Sequence, residues 1–466
     1  MATQIEQYPL YNQIPVGQDI IFVVSNGNIV GSQINVRFIA DVYVSDTYPS
    51  SLSITSIPTA TFKTTPNNAG VGIFDFRQVL ENYVSADNMA FNDSQYKGTL
   101  TTNDTPHPIH LIDKYSKNKK IARWFNVEFK TQYTDTNGDV QIDTPILYGD
   151  NFQIYNSYLK YTDKLDIFNN SFGFSLGNFN LSAPTNKFLT NAPATQYANL
   201  EDYGTFALLD PSNRVGYIRL KYKNSSGVQI GTEDIDKTFA NGAYTSFDDL
   251  ISQRILFFGC FPANLMRDGN SIFAGLVSPT DQMSGGSIEI TAFQTDPVSD
   301  KQISKTYTIN INCPELKGFE PIRLCWLNQW GAWDYYTFTK RSARSISTQG
   351  STYEQLAGTW NEAAYRLDSF KGGKKSFRVN ATEKITINTD FVSESENVMF
   401  EELINSPEAY ILDGYQSDGN FSALNQYVTP VRLTTSSFTK KTVANDKLIQ
   451  YTFEVEKTKT LRTQSV

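Results

Sequence analysis

Ile449-Gln450-Tyr451-Thr452-Phe453-Glu454-Val455 alternates apolar and polar residues one by one. A period of two puts Ile449, Tyr451, Phe453 and Val455 on one face of a strand and Gln450, Thr452 and Glu454 on the other. The same pattern recurs along the chain. Val36, Phe38, Ala40 and Val42 alternate with Asn35, Arg37 and Asp41; Ile218, Leu220 and Tyr222 with Arg219, Lys221 and Lys223; Ile385, Ile387 and Thr389 with Thr386 and Asn388. One apolar and one wet face per strand is the signature of antiparallel sheets packed on one side.

Turn chemistry separates the runs. Asn137-Gly138 lies between Val127–Tyr133 and Val140–Ile142, and Ser226-Gly227 between Tyr217–Tyr222 and Val228–Ile230. Both read as hairpins, and both return on Val-Gln-Ile, a hint of a repeated sandwich module. Helical patterns are short. Asp75–Val84 places Phe76, Val79, Leu80 and Tyr83 on one face with Asp75 as its cap, and Ser246–Arg254 and Thr352–Ala364 are two further candidates. The expected fold is therefore mostly β: tandem antiparallel β-sandwich-like domains with a few short helices. Residues 1–150 are expected to form an N-terminal sandwich, 151–315 a middle β-rich domain with long loops, and 316–466 a C-terminal β domain, with 312–318 as a linker or crossing.

The chain has 466 residues, 40% hydrophobic and 19% charged, with 26 Tyr and 31 Phe. That is enough apolar material for several cores and too little charge for a disordered chain. The net charge of −8 is spread without a basic stripe, which argues against a nucleic-acid groove. Ile255–Met266, the longest apolar run, is too short to span a bilayer and holds Gly259 and Pro262. The polar start Met1–Leu10, with Pro9, does not read as a signal peptide. Cys260, Cys313 and Cys325 are odd in number and widely spaced, so they are expected as buried thiols of a chain folded in a reducing cytoplasm.

Sites of chemistry are sought and each fails. The two histidines lie in His107-Pro108-Ile109-His110, where Pro108 opposes a helix and no further ligand completes a metal site. A zinc-protease helix or a histidine triad has no other histidine to use. Gly70-Val71-Gly72 has Asp75 where a dinucleotide loop needs its third glycine. Gly373-Lys374 has Asp368 in place of the upstream glycine of a phosphate loop and Lys375 in place of Ser or Thr. Asp135-Thr136-Asn137-Gly138-Asp139 resembles the start of a calcium loop without its closing Glu, and reads better as a hairpin turn. Glu394, Glu396, Glu401 and Glu402 read as a solvated acidic face. No cofactor or metal is expected, and the chain reads as a non-enzyme.

The densest aromatic cluster is Trp326–Phe338, with three of the five tryptophans. It reads as a strand from Arg323 to Trp326, a turn over Asn328–Ala332 and a return strand over Tyr335–Phe338. Trp326 and Phe338 are expected in a core. Trp330 and Trp333 are expected to face outward, and Trp330, Trp333 and Tyr335 are the candidate residues for subunit or glycan contact, since Trp and Tyr dominate interface energetics.

The string Trp326-Leu327-Asn328 through Tyr335-Tyr336-Thr337-Phe338 resembles structural proteins of tailed, crAss-like or related Bacteroidetes-infecting bacteriophages. Phe62–Asn68 with Gly72–Asp75, Phe188–Pro193 and Asp446–Leu448 resemble the same proteins, in short pieces over most of the chain. Where these proteins carry a glycine pair in the turn, this chain has only Gly331, between Trp330 and Ala332. The resemblance implies a tail-associated virion component (barrel, ring, hub or baseplate) assembled in the host cytoplasm, a homo-oligomeric ring bound to other phage subunits. It supplies no catalytic motif. Two rival expectations are a tail-tip protein binding a receptor or host surface glycan, and a glycan-degrading tail enzyme, whose carboxylates need only meet in space.

Overall fold

The computed structural model describes residues 3–45, 57–85, 115–117, 121–160, 163, 165–166, 171–172, 176–210, 214–236, 255–267, 271–277, 282–296, 298–311, 319–359, 362–413, 428–442 and 448–459. The His107–His110 segment, Cys313, the 312–318 linker, the Ser246–Arg254 helix and the 446–447 part of the closing phage-like string lie outside the described residues.

The fold is mostly β, with sandwich-like layers and a few short helices. The chain divides into two compact units. The first takes in Met1–Cys313 and Leu327–Asp334, the second Pro314–Trp326, Tyr335–Gly414 and Asn425–Val466.

In the first unit one hydrophobic cluster spans Ile14 to Ile154 and another Leu181 to Ile311. Around the first cluster a sheet of Gln4–Gln7, Ile21–Ser25 and Val71–Asp75 faces a larger one. The main path of the larger sheet runs Gln13–Pro15, Phe152–Tyr155, Ala122–Thr134, Ile34–Ser45, Ala60–Thr64. Phe38, Ala40 and Val42 point inward beside Phe125, Val127 and Phe129, as the alternation predicts. Phe129 meets Phe22 and Phe74 from the opposite sheet at ring distances of 5.5 and 5.7 Å. Each such side chain contributes about 1.5–3 kcal/mol by leaving water. The other face of Ile34–Ser45 is not wet as expected: Asp41 is buried, bonded to Thr61 and ion-paired with Lys130 Nζ at 2.5 Å.

The second cluster lies between the three-stranded sheet Thr205–Leu209, Ile255–Gly259, Tyr115–Lys117 and a six-stranded sheet that contains Tyr217–Lys223 and Ser287–Gln294. Most pairs are antiparallel. Phe152–Tyr155 pairs in parallel with Gln13–Pro15, and Thr195–Ala198 with Tyr307–Ile311. Both expected hairpins form, closed by Gly138 at φ +89° and Gly227 at φ +77°, a region that favours glycine. Within the first turn Asp135 Oδ1 accepts from the Asn137 and Asp139 amides. The Asp75–Val84 helix is a helical turn at Arg77–Leu80 followed by a tighter turn at Glu81–Tyr83. Asp75 Oδ1 accepts from the Arg77 amide, Phe76 and Leu80 are buried, and Tyr83 is exposed.

The second unit is built on one seven-stranded sheet in the order Trp333–Phe338, Ile322–Leu327, Ala409–Leu412, Val428–Leu433, Thr452–Lys457, Gly373–Asn388, Ala343–Gln355. The helix Asn397–Asn405 packs on it, with Phe400 against Tyr336, Phe453 and Tyr451 at 5.1, 5.5 and 5.6 Å. Phe453 and Val455 are buried while Thr452 is exposed, as the opening alternation predicts.

The expected helix over Thr352–Ala364 does not form. Thr352–Gln355 pairs instead with Gly373–Ser376, and Gly358, which interrupts the pattern, sits in an isolated bridge to Leu367. Strand pairing overrides the local helical spacing here. The acidic group at 394–402 is also not a uniformly solvated face. Glu396 closes a capping box with Ser393, Glu402 is buried, and Glu401 pairs with Lys440 at 2.6 Å.

Candidate assembly surface

The aromatic hairpin forms as expected, and Trp326 and Phe338 are buried. Trp330, Trp333 and Tyr335 do not face outward. Their exposures are 4%, 2% and 5%, which removes them from the solvent surface of the chain. The reason is local. The turn residues belong to the first unit, where Trp330 packs on Phe179 at 4.4 Å. Asn328 Oδ1 accepts from the Trp330 and Ala332 amides, and its Nδ2 donates to the Leu189 carbonyl, all at 3.0 Å. The Tyr158 amide donates to the Gln329 carbonyl at 2.9 Å. Gly331 has φ +78°, and a Cβ there would lie 2.2 Å from the Asn156 carbonyl oxygen.

Asp334 closes this cluster. Its Oδ1 accepts from Thr190 Oγ1 at 2.5 Å, and burial pushes its carboxyl up to about 6. In the second unit, burial likewise raises the thiol of Cys325, and Cys260 of the first unit is buried as well.

The surface that lacks a covering lies elsewhere. Ala343–Gln355 and Gly373–Asn388 form a long two-stranded ribbon in the second unit. Thr452–Lys457 covers only Lys384–Asn388 of the second strand. Among the described residues, Gly373–Glu383 has one strand neighbour, and Ala343–Gln355 ends the sheet. Every residue from Ala343 to Thr352 is exposed. A lone two-stranded ribbon is marginal in water.

Opposed residues in an antiparallel pair share a face. Ile346, Thr348 and Gly350 therefore lie with Glu383, Ala381 and Val379, on the face that continues from the buried Ile385 and Ile387. The other face carries Ser345, Ser347, Gln349 and Ser351 with Lys384, Thr382, Asn380 and Arg378. Near the tip the register slips at Ser351/Thr352, Phe377 is the extra residue, and its ring meets Tyr353 edge-on at 6.5 Å.

The tip is apolar. Leu356, Tyr365, Leu367 and Phe370 are 63–77% exposed. They are held in place by the Asp368 amide donating to the Ala357 carbonyl, by the Lys371–Asp368 ion pair and by Gly372 at φ +91°. Exposed apolar side chains gathered on one projecting element mark an interaction surface. None of these residues was singled out as a contact in the sequence. The available signal was a strand-length Ser/Thr/Gln run, Ser345–Ser351, with no alternating apolar face to bury.

Among the described residues no group of three or more His, Cys, Asp or Glu is placed to hold a metal, and no helix is long and apolar enough to cross a membrane.

No family model matches the chain, and no curated protein matches it. Among solved structures, alpha-2-macroglobulin of Escherichia coli in its native conformation is 8% identical with a TM-score of 0.18, over 100% of this chain and 31% of that one. A mutant Salmonella alpha-2-macroglobulin is 6% identical with a TM-score of 0.18, over 99% and 37%. Trypsin-activated alpha-2-macroglobulin from Escherichia coli is 7% identical with a TM-score of 0.12, over 83% and 40%. The chain spans about a third of the length of the first two, and superpositions this poor carry no inference.

Proposed function

We propose that this chain is a structural virion protein of a tailed bacteriophage, a tail-associated subunit that works by assembling with copies of itself and with other phage subunits. The observation that carries the assembly part is the ribbon Ala343–Asn388, with an uncovered strand edge and an exposed apolar tip. A subunit that stays dispersed before assembly and buries such an element afterwards needs a charged remaining surface, and the net charge of −8 supplies one. The phage part rests on the resemblance of the Trp326–Phe338 string and its companions.

A glycan-binding tail tip loses its main support, because the tryptophan rings that would form the platform are buried. The glycan-degrading reading draws little support from the acidic group at 394–402, in which Glu396 caps a helix, Glu401 pairs with Lys440 and Glu402 is buried.

The test is composition of purified particles. Antibody labelling of intact virions of the encoding phage is expected to decorate the tail at a fixed position. A particle preparation free of the chain, with the chain abundant in the lysate, would overturn the proposal.

A further inference from the structure

The projecting part of the ribbon has two open edges. On one side Ala343–Gln355 is the last strand of its sheet; on the other, Gly373–Glu383 has no second neighbour among the described residues. Natural edges are guarded by lysine, proline, short length or a twist away from partners. Between Ser345 and Tyr353 the first edge carries no charge and no proline. The second edge is guarded near its tip by Lys374, Lys375, Arg378 and the bulge at Phe377, so the first is the unguarded one, and an open, unguarded edge of this length pairs with another strand when one is offered.

We propose that the ribbon edge Ala343–Gln355 of one copy pairs antiparallel with the edge Gly373–Glu383 of a second copy, head to tail, so that the ribbons close into a β-barrel at the centre of a ring. Three features favour this occupant. Within a ribbon the two strands are antiparallel, so identical ribbons side by side and pointing the same way present antiparallel edges to each other at every junction. A heterologous contact of this kind leaves no edge behind when its rotation closes into a ring.

The charges at the two edges are also complementary. Arg344 sits near the base of one edge and Glu383 near the base of the other; Glu354 lies near the tip of the first, and Lys374 and Lys375 near the tip of the second. At the base these charges are already engaged within the chain, Arg344 with Glu320 at 2.9 Å and Glu383 at 3.3 Å, and Glu383 with Lys457 at 2.9 Å, so the complementarity open to a second copy is that of Glu354 with Lys374 and Lys375 at the tip. Finally, the ribbon's two faces differ, one polar throughout and the other carrying Ile346, Val379 and Ala381, as a closed barrel with an inside and an outside requires. In such a barrel the tip residues Leu356, Tyr365, Leu367 and Phe370 of neighbouring copies gather at one rim and cover each other.

This inference rests on the assembly reading above and names its contact. The test uses the full chain and single cysteines on one face of the two edge strands, at the exposed Ser347 and Ser351 and the half-buried Asn380 and Thr382. Ser347→Cys or Ser351→Cys marks one edge, and Asn380→Cys or Thr382→Cys marks the other. Each variant alone has no engineered partner within its own copy, so a disulfide between two engineered cysteines must join two copies, and mass mapping of the bond separates it from one to the native Cys260, Cys313 or Cys325. Mixing one variant from each edge is expected to give a covalent dimer at least about tenfold above either variant alone and above the unsubstituted chain, because the bond needs Cβ atoms held within a few ångströms.

If rings form and no mixed pair joins, the barrel is overturned while the assembly reading stands. A dimer from Gln349→Cys alone would mean that like edges pair about a two-fold axis, and it overturns the barrel equally. A chain that stays monomeric and is missing from particles overturns both.

Discussion

Asp334 carries a charge that the fold does not want. Its carboxyl is buried, its Oδ1 is bonded to Thr190, and burial raises it from 3.8 to about 6. The folded chain therefore holds a proton that the unfolded chain releases between about pH 4 and 6. Stability from this group is fully present below the unfolded value and is lost as pH rises through about 6. Asp334→Asn keeps an acceptor for Thr190 and removes the charge. Thermal melts from pH 4 to 8 are expected to show a higher neutral-pH Tm for the variant, with the acid-side gain of the parent flattened. Identical pH profiles would show that the carboxyl does not titrate as its burial requires. At Gly331, φ +78° and the Asn156 carbonyl oxygen leave no room for a side chain. Gly331→Ala is expected to cost about 1–3 kcal/mol in denaturant unfolding. An unchanged midpoint would mean that the turn can move away.

The ribbon is the element on which the proposed assembly depends. Leu356, Leu367 and Phe370 contribute little to the fold of the single chain, because they are 71–77% exposed. Serine at all three is expected to shift folding stability by no more than about 0.5 kcal/mol per site, while sedimentation shows the loss of higher oligomers. A large drop in stability would place these side chains in a core instead. Replacing Thr348–Ala381 with a two-residue Asn-Gly turn joins the opposed residues Ser347 and Thr382 and leaves the base strands Ala343–Ser347 and Thr382–Asn388 paired in their present register. The shortened chain is expected to keep its circular dichroism spectrum and remain monomeric. Strands were the most legible elements in the sequence, because Ile218-Leu220-Tyr222 and Phe453-Val455 carry a period of two that burial then enforces. The ribbon was not legible, because Thr352–Ala364 has helical spacing and its strand partner lies across a long loop. The outward orientation expected of Trp330 and Trp333 failed for a similar reason: Trp330 packs on Phe179, and the turn that carries it is held at Gly331 by Asn156 and at Asn328 by Leu189, all far away in the chain.

At the scale of the whole molecule, many residues sit in well-formed cores, so the uncovered ribbon is not a symptom of a poorly packed protein. The mostly β composition was readable because alternation, turn glycines and aromatic content agree with one another. The candidate site was not, since a contact surface has no periodicity of its own and is defined by what the rest of the fold leaves bare. The central claim is that this chain functions by docking to further copies. Native mass measurement of the purified full chain across a range of concentrations tests it most directly. A single closed oligomer at an integer multiple of 52.4 kDa, lost in the ribbon-shortened variant, is the predicted result. A monomer at every concentration, unchanged by removal of the ribbon, would contradict it.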